Sequence, residues 1–359
     1  MTKKSVHAIK PVQAGTAGEG LSARGRVNIT LADVARVAGI STITASRALN
    51  NPSLVTTETQ RRVREAAASV GYVPNLIAGS MRSNRTRLIA CLVPTIASGS
   101  AFLVAVHAMT ESFTAAGYQV MLGERGYDHS REEQLVEAVI ARRPDGIVVT
   151  GVMLSEAARR RLKNAGMPIV ETWDMTDTPI DMLVGFSHLQ VGAEIAKHLH
   201  ANGYRRVGMV TNREPRGEKR AQGFSDAAKR LGLVAPGAEV PTYLMDAPSR
   251  MKHGREGLAH LLDRYPDLDA VYCASDLVAV GALIEAKSRG LQVPKQIAVM
   301  GFGDLDFAMD TDPPLTTIHV DGEAIGRQAA ACIITRLSNE DVVPSVIDIG
   351  FSVMARESA

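Results

Sequence analysis

Apolar residues recur at helical spacing at Leu31, Val34, Ala35 and Ala38, which predicts a short amphipathic helix. Thr30 followed by Asp33 has the form of a capping box at its start. Gly39 breaks the helix, Ile40 covers the corner, and Ser41 caps a second helix that runs to about Leu49. On that second helix Ala45, Ala48 and Leu49 suit packing against the first, whereas Thr42, Ile43, Ser46 and Arg47 are too mixed to be core. Two helices joined by a tight glycine turn describe a helix-turn-helix, whose second helix enters the DNA major groove. Thr56 or Thr57 then caps a third helix with Val63, Ala66, Ala67 and Val70 on one face, ended by Gly71. After Tyr72-Val73-Pro74, Asn75 caps a segment, LIAGSMRS, too short to hold helix by itself in water.

From Leu88 the period changes. LIACLVPT, YQVMLGE, DGIVVTG and PIVETWD predict strands, separated by helices near 102–116, 130–142 and 155–165. A second series, DMLVGFS, RVGMVTN, DAVYCAS and IAVMGF, alternates with helices near 189–203, 217–232, 249–264 and 276–289, and LTTIHV and a helix at 323–337 complete it. Repeated strand–helix units imply doubly wound parallel sheets covered on both faces, and two such series imply two α/β lobes with a cleft between them.

Charge sharpens this division. Residues 1–87 hold 13 Lys+Arg against 4 Asp+Glu, a net +9 within a chain of net +2, so the remainder carries −7. A basic head on an acidic body fits binding of a polyanion. The first 26 residues are expected to be a disordered basic tail: they include Lys3, Lys4 and Lys10 and have no apolar core of a secretory signal. With no apolar run of membrane-spanning length, a cytoplasmic protein is expected. Cys91, Cys273 and Cys332 are far apart and odd in number, so buried thiols are expected rather than a disulfide or metal site. No cofactor is expected. A phosphate-binding G-x-x-x-x-G-K-[ST] loop, a G-x-S-x-G elbow and His pairs at metal-ligand spacing are all missing, which argues against an enzyme. A transport binding protein would account for the cleft but not for the basic head.

TLADVARVAGIS-TITASRALN, the helix start VTTETQRRV and GYVPNLIAGSMR together resemble the lactose-repressor (LacI/GalR) family of transcription regulators. The resemblance implies a helix-turn-helix domain at 27–73, a hinge helix at 74–87 and a two-lobed, periplasmic-binding-protein-like effector and dimerisation domain at 88–359. Its lobe crossovers are expected near 185–188 and 315–320. It further implies a homodimer on a palindromic operator, since one head offers too few contacts for a specific site. Without a heptad tail beyond FSVMARESA, a tetramer is not expected.

In such a head Arg47 can pair with guanine O6 and N7. Thr42 and Ile43 hold the family's base-selecting positions, Ile43 being suited to a thymine methyl. Thr44, Ser46, Asn50, Tyr72 and Asn75 suit phosphates. Ala78 matches the family's usual alanine in the hinge helix, and Met81 stands where a leucine normally wedges into the minor groove.

In the effector domain Arg220, three residues before Gly223-Phe224, matches the family's R-x-x-G-F arginine, with Arg216 and Lys219 beside it. A guanidinium fork suits a carboxylate or vicinal hydroxyls. Asp276 lies in an S-D-x-x-A-x-G pattern and serves either a ligand or, with Ser275, the cap of the next helix. Where the family commonly has a sugar-clamping aspartate, this chain has Gly303, next to Phe302. Losing that carboxylate while keeping the cations points to an acidic effector. Glu171-Thr172-Trp173-Asp174 and the stretch after it resemble the gluconate-operon repressor branch, so a sugar acid such as gluconate or 2-ketogluconate is the expected effector. Trp173 either stacks on it or packs as core. Ser98, Ser100 and Phe102 replace the family's N-P-F-F loop and are candidate contacts there.

Overall fold

The computed structural model describes residues 29–73, 85–96, 102–126, 129–151, 153 and 155–359. Asn75, Ala78, Met81, Ser98, Ser100, the N-terminal tail and most of the hinge segment lie outside them. The chain divides into a head ending at Gly79 and a body from Ser80, each described separately.

The head is three helices, α1 (Leu31–Ala38), α2 (Thr42–Asn50) and α3 (Thr57–Val70). The Asp33 carboxylate accepts from both the backbone N–H and the hydroxyl of Thr30 at the start of α1. Gly39, at φ 65°, ends α1 in the left-handed conformation that glycine adopts without penalty. Its missing Cβ also leaves room for Arg62, whose guanidinium donates to Ala38 O at 2.5 Å and ties α3 to the end of α1. Ser41 and Thr56 cap α2 and α3 through their hydroxyls. Val34, Ala38, Ala48, Val63, Ala66 and Ala67 form the core. It is small, and small side chains let three short helices approach closely.

In the body, a six-stranded sheet has the order β11 (Val346–Asp348), β5 (Met182–Gly185), β4 (Ile169–Thr172), β3 (Gly146–Thr150), β1 (Leu88–Val93), β2 (Gln119–Glu124), all paired in parallel. A four-stranded parallel sheet has the order β7 (Thr242–Met245), β6 (Val207–Asn212), β8 (Ala270–Cys273), β9 (Ala298–Met300). Central strands such as LIACLV, GIVVT and VGMVTN are buried along nearly their whole length and mostly apolar because both faces are covered. Helices α4 (Phe102–Ala115), α5 (His129–Ala141), α6 (Glu156–Lys163) and α11 (Gly322–Leu337) flank the larger sheet. α7 (His188–Ala201), α8 (Pro215–Arg230), α9 (Met251–Arg264) and α10 (Asp276–Ser288) flank the smaller one. Two features differ from the strand reading of the sequence. DMLVGFS, grouped above with the second series, supplies β5 of the first sheet. The chain also passes between lobes three times, after β5, after β10 (Thr317–His319) and between β11 and β12 (Ser352–Met354), which pairs antiparallel with β10. β7, β11 and β12 were not legible in the sequence: three or four residues at a partly exposed edge carry no period.

Glycines set the helix packing. A Cβ on Gly192 of α7 would lie 2.0 Å from Arg220 O, and one on Gly223 of α8 would lie 2.0 Å from Leu189 O. Gly254 and Gly281 bring α9 and α10 together in the same reciprocal way.

Candidate functional site

On the head, Ala45 and Ala48 turn inward while Thr42, Ile43, Arg47 and Asn50 are exposed. Ile43 is 64% exposed, a large apolar side chain outside the core of the described head. Arg47 forms no hydrogen bond or ion pair with the described residues, so its fork is available. Thr44 is partly spent on the cap, its N–H and hydroxyl both at Ser41 Oγ. Ser46 accepts from Asn50 Nδ2 at 3.3 Å, which holds those two polar groups together on the exposed face. Tyr72 is half-buried against the helix core.

The body's candidate site lies at the carboxyl ends of the strands, where open α/β sheets place ligands. Arg220, on α8, is buried and bonded within the protein. Its Nε donates to Tyr272 Oη at 3.1 Å, one Nη to His188 Nδ1 at 3.0 Å, the other to Ala274 O at 3.4 Å, and the guanidinium lies 4.2 Å from the Phe302 ring centroid. His188 Nε2 donates to Trp173 O at 2.9 Å, which fixes the tautomer and leaves Nδ1 as the acceptor for Arg220. Burial first, then the charges of Arg220 and Arg216, hold the His188 pKa well below its ordinary value, so this imidazole is neutral.

Trp173 packs as core: it is 3% exposed, its ring stands edge-on to Phe186 at 5.8 Å, and its backbone has φ 66°. Phe102 belongs to the same buried cluster, at the start of α4. Glu171 is wholly buried and its carboxylate accepts from Arg159 at 3.0 Å and Ile180 N at 2.7 Å. Desolvation raises its pKa, and these bonds explain a buried carboxylate without a ligand. Asp174 receives Lys219 Nζ at 2.7 Å, joining the larger lobe to α8 of the smaller one. The cation that sequence placed beside Arg220 is therefore neutralised by the acid placed beside Trp173.

Ser275, not Asp276, caps α10. The Asp276 carboxylate is fully buried, accepts from Thr317 Oγ1 at 2.5 Å and Leu305 N at 2.8 Å, and fills the space left by the absent Cβ of Gly301. It thus braces the second passage between lobes. Asp304, next to Gly303, is held by Arg356 at 2.6 Å and His319 at 3.0 Å. Burial raises the Asp276 pKa from 3.8 to about 6. The folded state then binds this proton more tightly than the unfolded chain, so the group adds stability as pH falls through 6 toward 3.8. In urea titrations, the stability of wild type relative to Asp276→Asn should rise by about 1–2 kcal/mol from pH 7.5 to pH 5. His188 acts oppositely below 6.5 but cancels in that comparison.

One contributor was missed in the sequence. Arg125, just after β2, is 4% exposed, with Nη1 on Glu132 at 2.6 Å and Nη2 on Thr150 O at 3.1 Å. Arg125 Nη2 and the Arg216 Cζ and Nε lie 3.3, 3.6 and 3.6 Å from the place a Cβ on Gly151 would take. No motif marks Arg125, because Glu132 and Arg216 reach it only through the fold. Five buried polar atoms without a hydrogen bond sit near these strand ends: Arg125 Nε, Thr150 Oγ1, Trp173 Nε1, Asp174 Oδ2 and Thr211 Oγ1. Orphaned buried groups are costly, and their concentration here fits a polar ligand between the lobes. No group of metal-ligating side chains occurs among the described residues, and no helix there is long and apolar enough to cross a membrane.

A three-helix head with a free recognition face and a two-lobed body with a polar cleft define a DNA-binding regulator that carries its own ligand-binding domain. The profile of the bacterial regulatory proteins of the lacI family matches residues 30–75, and that of periplasmic binding protein-like domains matches residues 196–359. The chain is 38% identical over 330 residues to the HTH-type transcriptional regulator GntR of Pseudomonas aeruginosa, across 92% of this chain and 95% of that one. A LacI-family regulator from Silicibacter pomeroyi superposes with a TM-score of 0.85 at 32% identity, covering 92% of this chain and 99% of that one. The regulator GntR from Chromobacterium violaceum does so with a TM-score of 0.71 at 34% identity, covering 76% and 98%. The chain belongs to the lacI family of bacterial regulatory proteins. It is a transcriptional repressor of that family, whose members bind operator DNA and small-molecule effectors as dimers.

Proposed function

We propose that this repressor answers to a sugar acid of the gluconate or 2-ketogluconate type, which releases it from a palindromic operator and so opens genes for sugar-acid catabolism. The observation that carries the reading is an imbalance of charge in the cleft. Arg125 is matched by Glu132 and Lys219 by Asp174, but among the described residues neither Arg216 nor Arg220 forms an ion pair with a carboxylate. A neutral sugar or a purine would leave both cations uncompensated in a partly desolvated site, whereas an acid offsets them. Similarity to the GntR regulators supports the same effector class. On DNA, Arg47 reads guanine, Thr42 and Ile43 select neighbouring bases, and Thr44, Ser46, Asn50, Tyr72 and Asn75 meet phosphates. Ala78 and Met81 belong to the hinge segment at the minor groove.

Ligand closure of the cleft acts by shifting population, because the effector binds the non-DNA-binding state better. The test is selection of duplexes from a randomised pool, followed by release with gluconate, 2-ketogluconate, glucose or hypoxanthine. A palindrome should be enriched, and only the acids should release it. Arg220→Ala should still bind the palindrome but need roughly 100-fold more acid, since Phe302, His188 and Tyr272 lose the group that orders them. Release by glucose or hypoxanthine alone would overturn the effector assignment. Tighter DNA binding with acid would reverse the sign of the switch.

A further inference from the structure

Arg216 and Arg125 reach one point from opposite lobes. Arg216 rises from the first turn of α8 in the smaller lobe, Arg125 follows β2 in the larger, and both guanidiniums border Gly151 at the end of β3. Arg216 forms no hydrogen bond or ion pair among the described residues, although it is only half-exposed. Burial lowers its pKa, the nearby carboxylates of Glu214 and Asp174 oppose that, and the facing charges of Arg125 and Arg220 add to it. The Arg125 Nε is buried without an acceptor, and the Thr150 hydroxyl beside Gly151 is buried without a partner. Two facing guanidiniums, one with a buried N–H that has no acceptor, suit an anion between them.

Resting on the sugar-acid reading above, we propose that Arg216 and Arg125, and not Arg220, hold the effector's carboxylate in a clamp shared between the two lobes beside Gly151. Arg220 is spent on Tyr272, His188 and Ala274 and stacked on Phe302, so it is a positioning residue that shapes the polyol end of the cleft. Three features favour a monoanion. Glu132 already balances Arg125, which leaves one full charge at the clamp. A guanidinium offers two parallel donors to a planar carboxylate. Gly151 has φ 84°, and a Cβ there would crowd the Arg125 guanidinium and touch that of Arg216, so glycine leaves the opening between them. Since each lobe supplies one cation, the carboxylate itself draws the lobes together. A neutral sugar alcohol of the same length lacks that link.

Calorimetry on the full-length protein with sodium gluconate, its reduced counterpart glucitol and 6-phosphogluconate tests this, using wild type, Arg216→Gln, Arg216→Lys and Arg220→Gln. Wild type should prefer gluconate to glucitol by about 100-fold, from one desolvated charged contact. Arg216→Gln should bring the gluconate affinity down to that of glucitol without changing the latter, and Arg216→Lys should restore part of the preference. Arg220→Gln should weaken both ligands together and keep their ratio. Because Arg216 has no partner, its variants should melt within a degree or two of wild type, which separates lost binding from lost folding. A preference that survives Arg216→Gln, or that disappears in Arg220→Gln alone, overturns the clamp while leaving the sugar-acid reading intact. Tighter binding of 6-phosphogluconate than of gluconate overturns the monoanion assignment. Failure of wild type to bind any sugar acid overturns the clamp and that reading together.

Discussion

Replacing Gly223 by alanine is expected to abolish the folded body, or to destabilise it by more than about 4 kcal/mol. A Cβ at this position would lie 2.0 Å from Leu189 O and 2.8 Å from its carbonyl carbon. Both are backbone atoms of the neighbouring helix, so no rotamer change removes the clash. The helices must separate, and with them go the contacts of Phe224, a fully buried side chain facing Tyr272 at 5.3 Å. The functional consequence comes from the same geometry. α7 begins with His188, and α8 carries Arg216, Lys219 and Arg220 in its first two turns. Separating them lengthens the 3.0 Å contact between Arg220 and His188 even in any fraction that folds. Urea unfolding followed by circular dichroism measures the stability. Gly232→Ala is the matched comparison: that glycine has open space around its Cβ position and a φ of 69°, so only backbone strain of about 1 kcal/mol is expected there. Equal effects at the two sites would contradict the close-packing argument.

Arg47→Ala is expected to weaken binding to the selected palindrome by about 2–6 kcal/mol. One bidentate arginine–guanine pair contributes about 1–3 kcal/mol of discrimination, and a symmetric dimer forms it twice. The substitution removes no contact within the head, because Arg47 is exposed and unpaired among the described residues. Thermal melting should therefore stay unchanged. Binding to shuffled DNA should fall far less, by what one phosphate-range charge per subunit contributes, and should lose salt dependence only slightly. Fluorescence anisotropy on the selected and shuffled duplexes gives both numbers. An equal loss on the two would show that Arg47 contacts phosphate and that base reading lies with Thr42 and Ile43.

The head was almost wholly legible in the chain. Its caps, its two left-handed glycines and its alanine-rich core follow from local rules: a capping oxygen three residues from its N–H, a conformation open to glycine, a 3.6-residue period. The alternation of strands and helices in the body was legible for the same reason, and the family match rests on contiguous motifs. What the sequence left unread clusters where partners are distant in sequence. Asp276 and Glu171 have the residue type and spacing of ligand contacts, yet their carboxylates are taken by Thr317, Leu305, Arg159 and Ile180. Trp173 and Phe102 resolve to core. Nothing within a few residues of these positions records those partners.

The sequence by itself determined the helix-turn-helix, the two-lobed parallel α/β body and the family, because each depends on periods and caps that act within about a dozen residues. Only the tertiary structure decided which charges are neutralised and which remain. Arg125 finds Glu132 and Lys219 finds Asp174 by folding, while Arg216 meets Arg125 across the lobes and forms no ion pair among the described residues. Electrostatic energy depends on distance in space rather than along the chain.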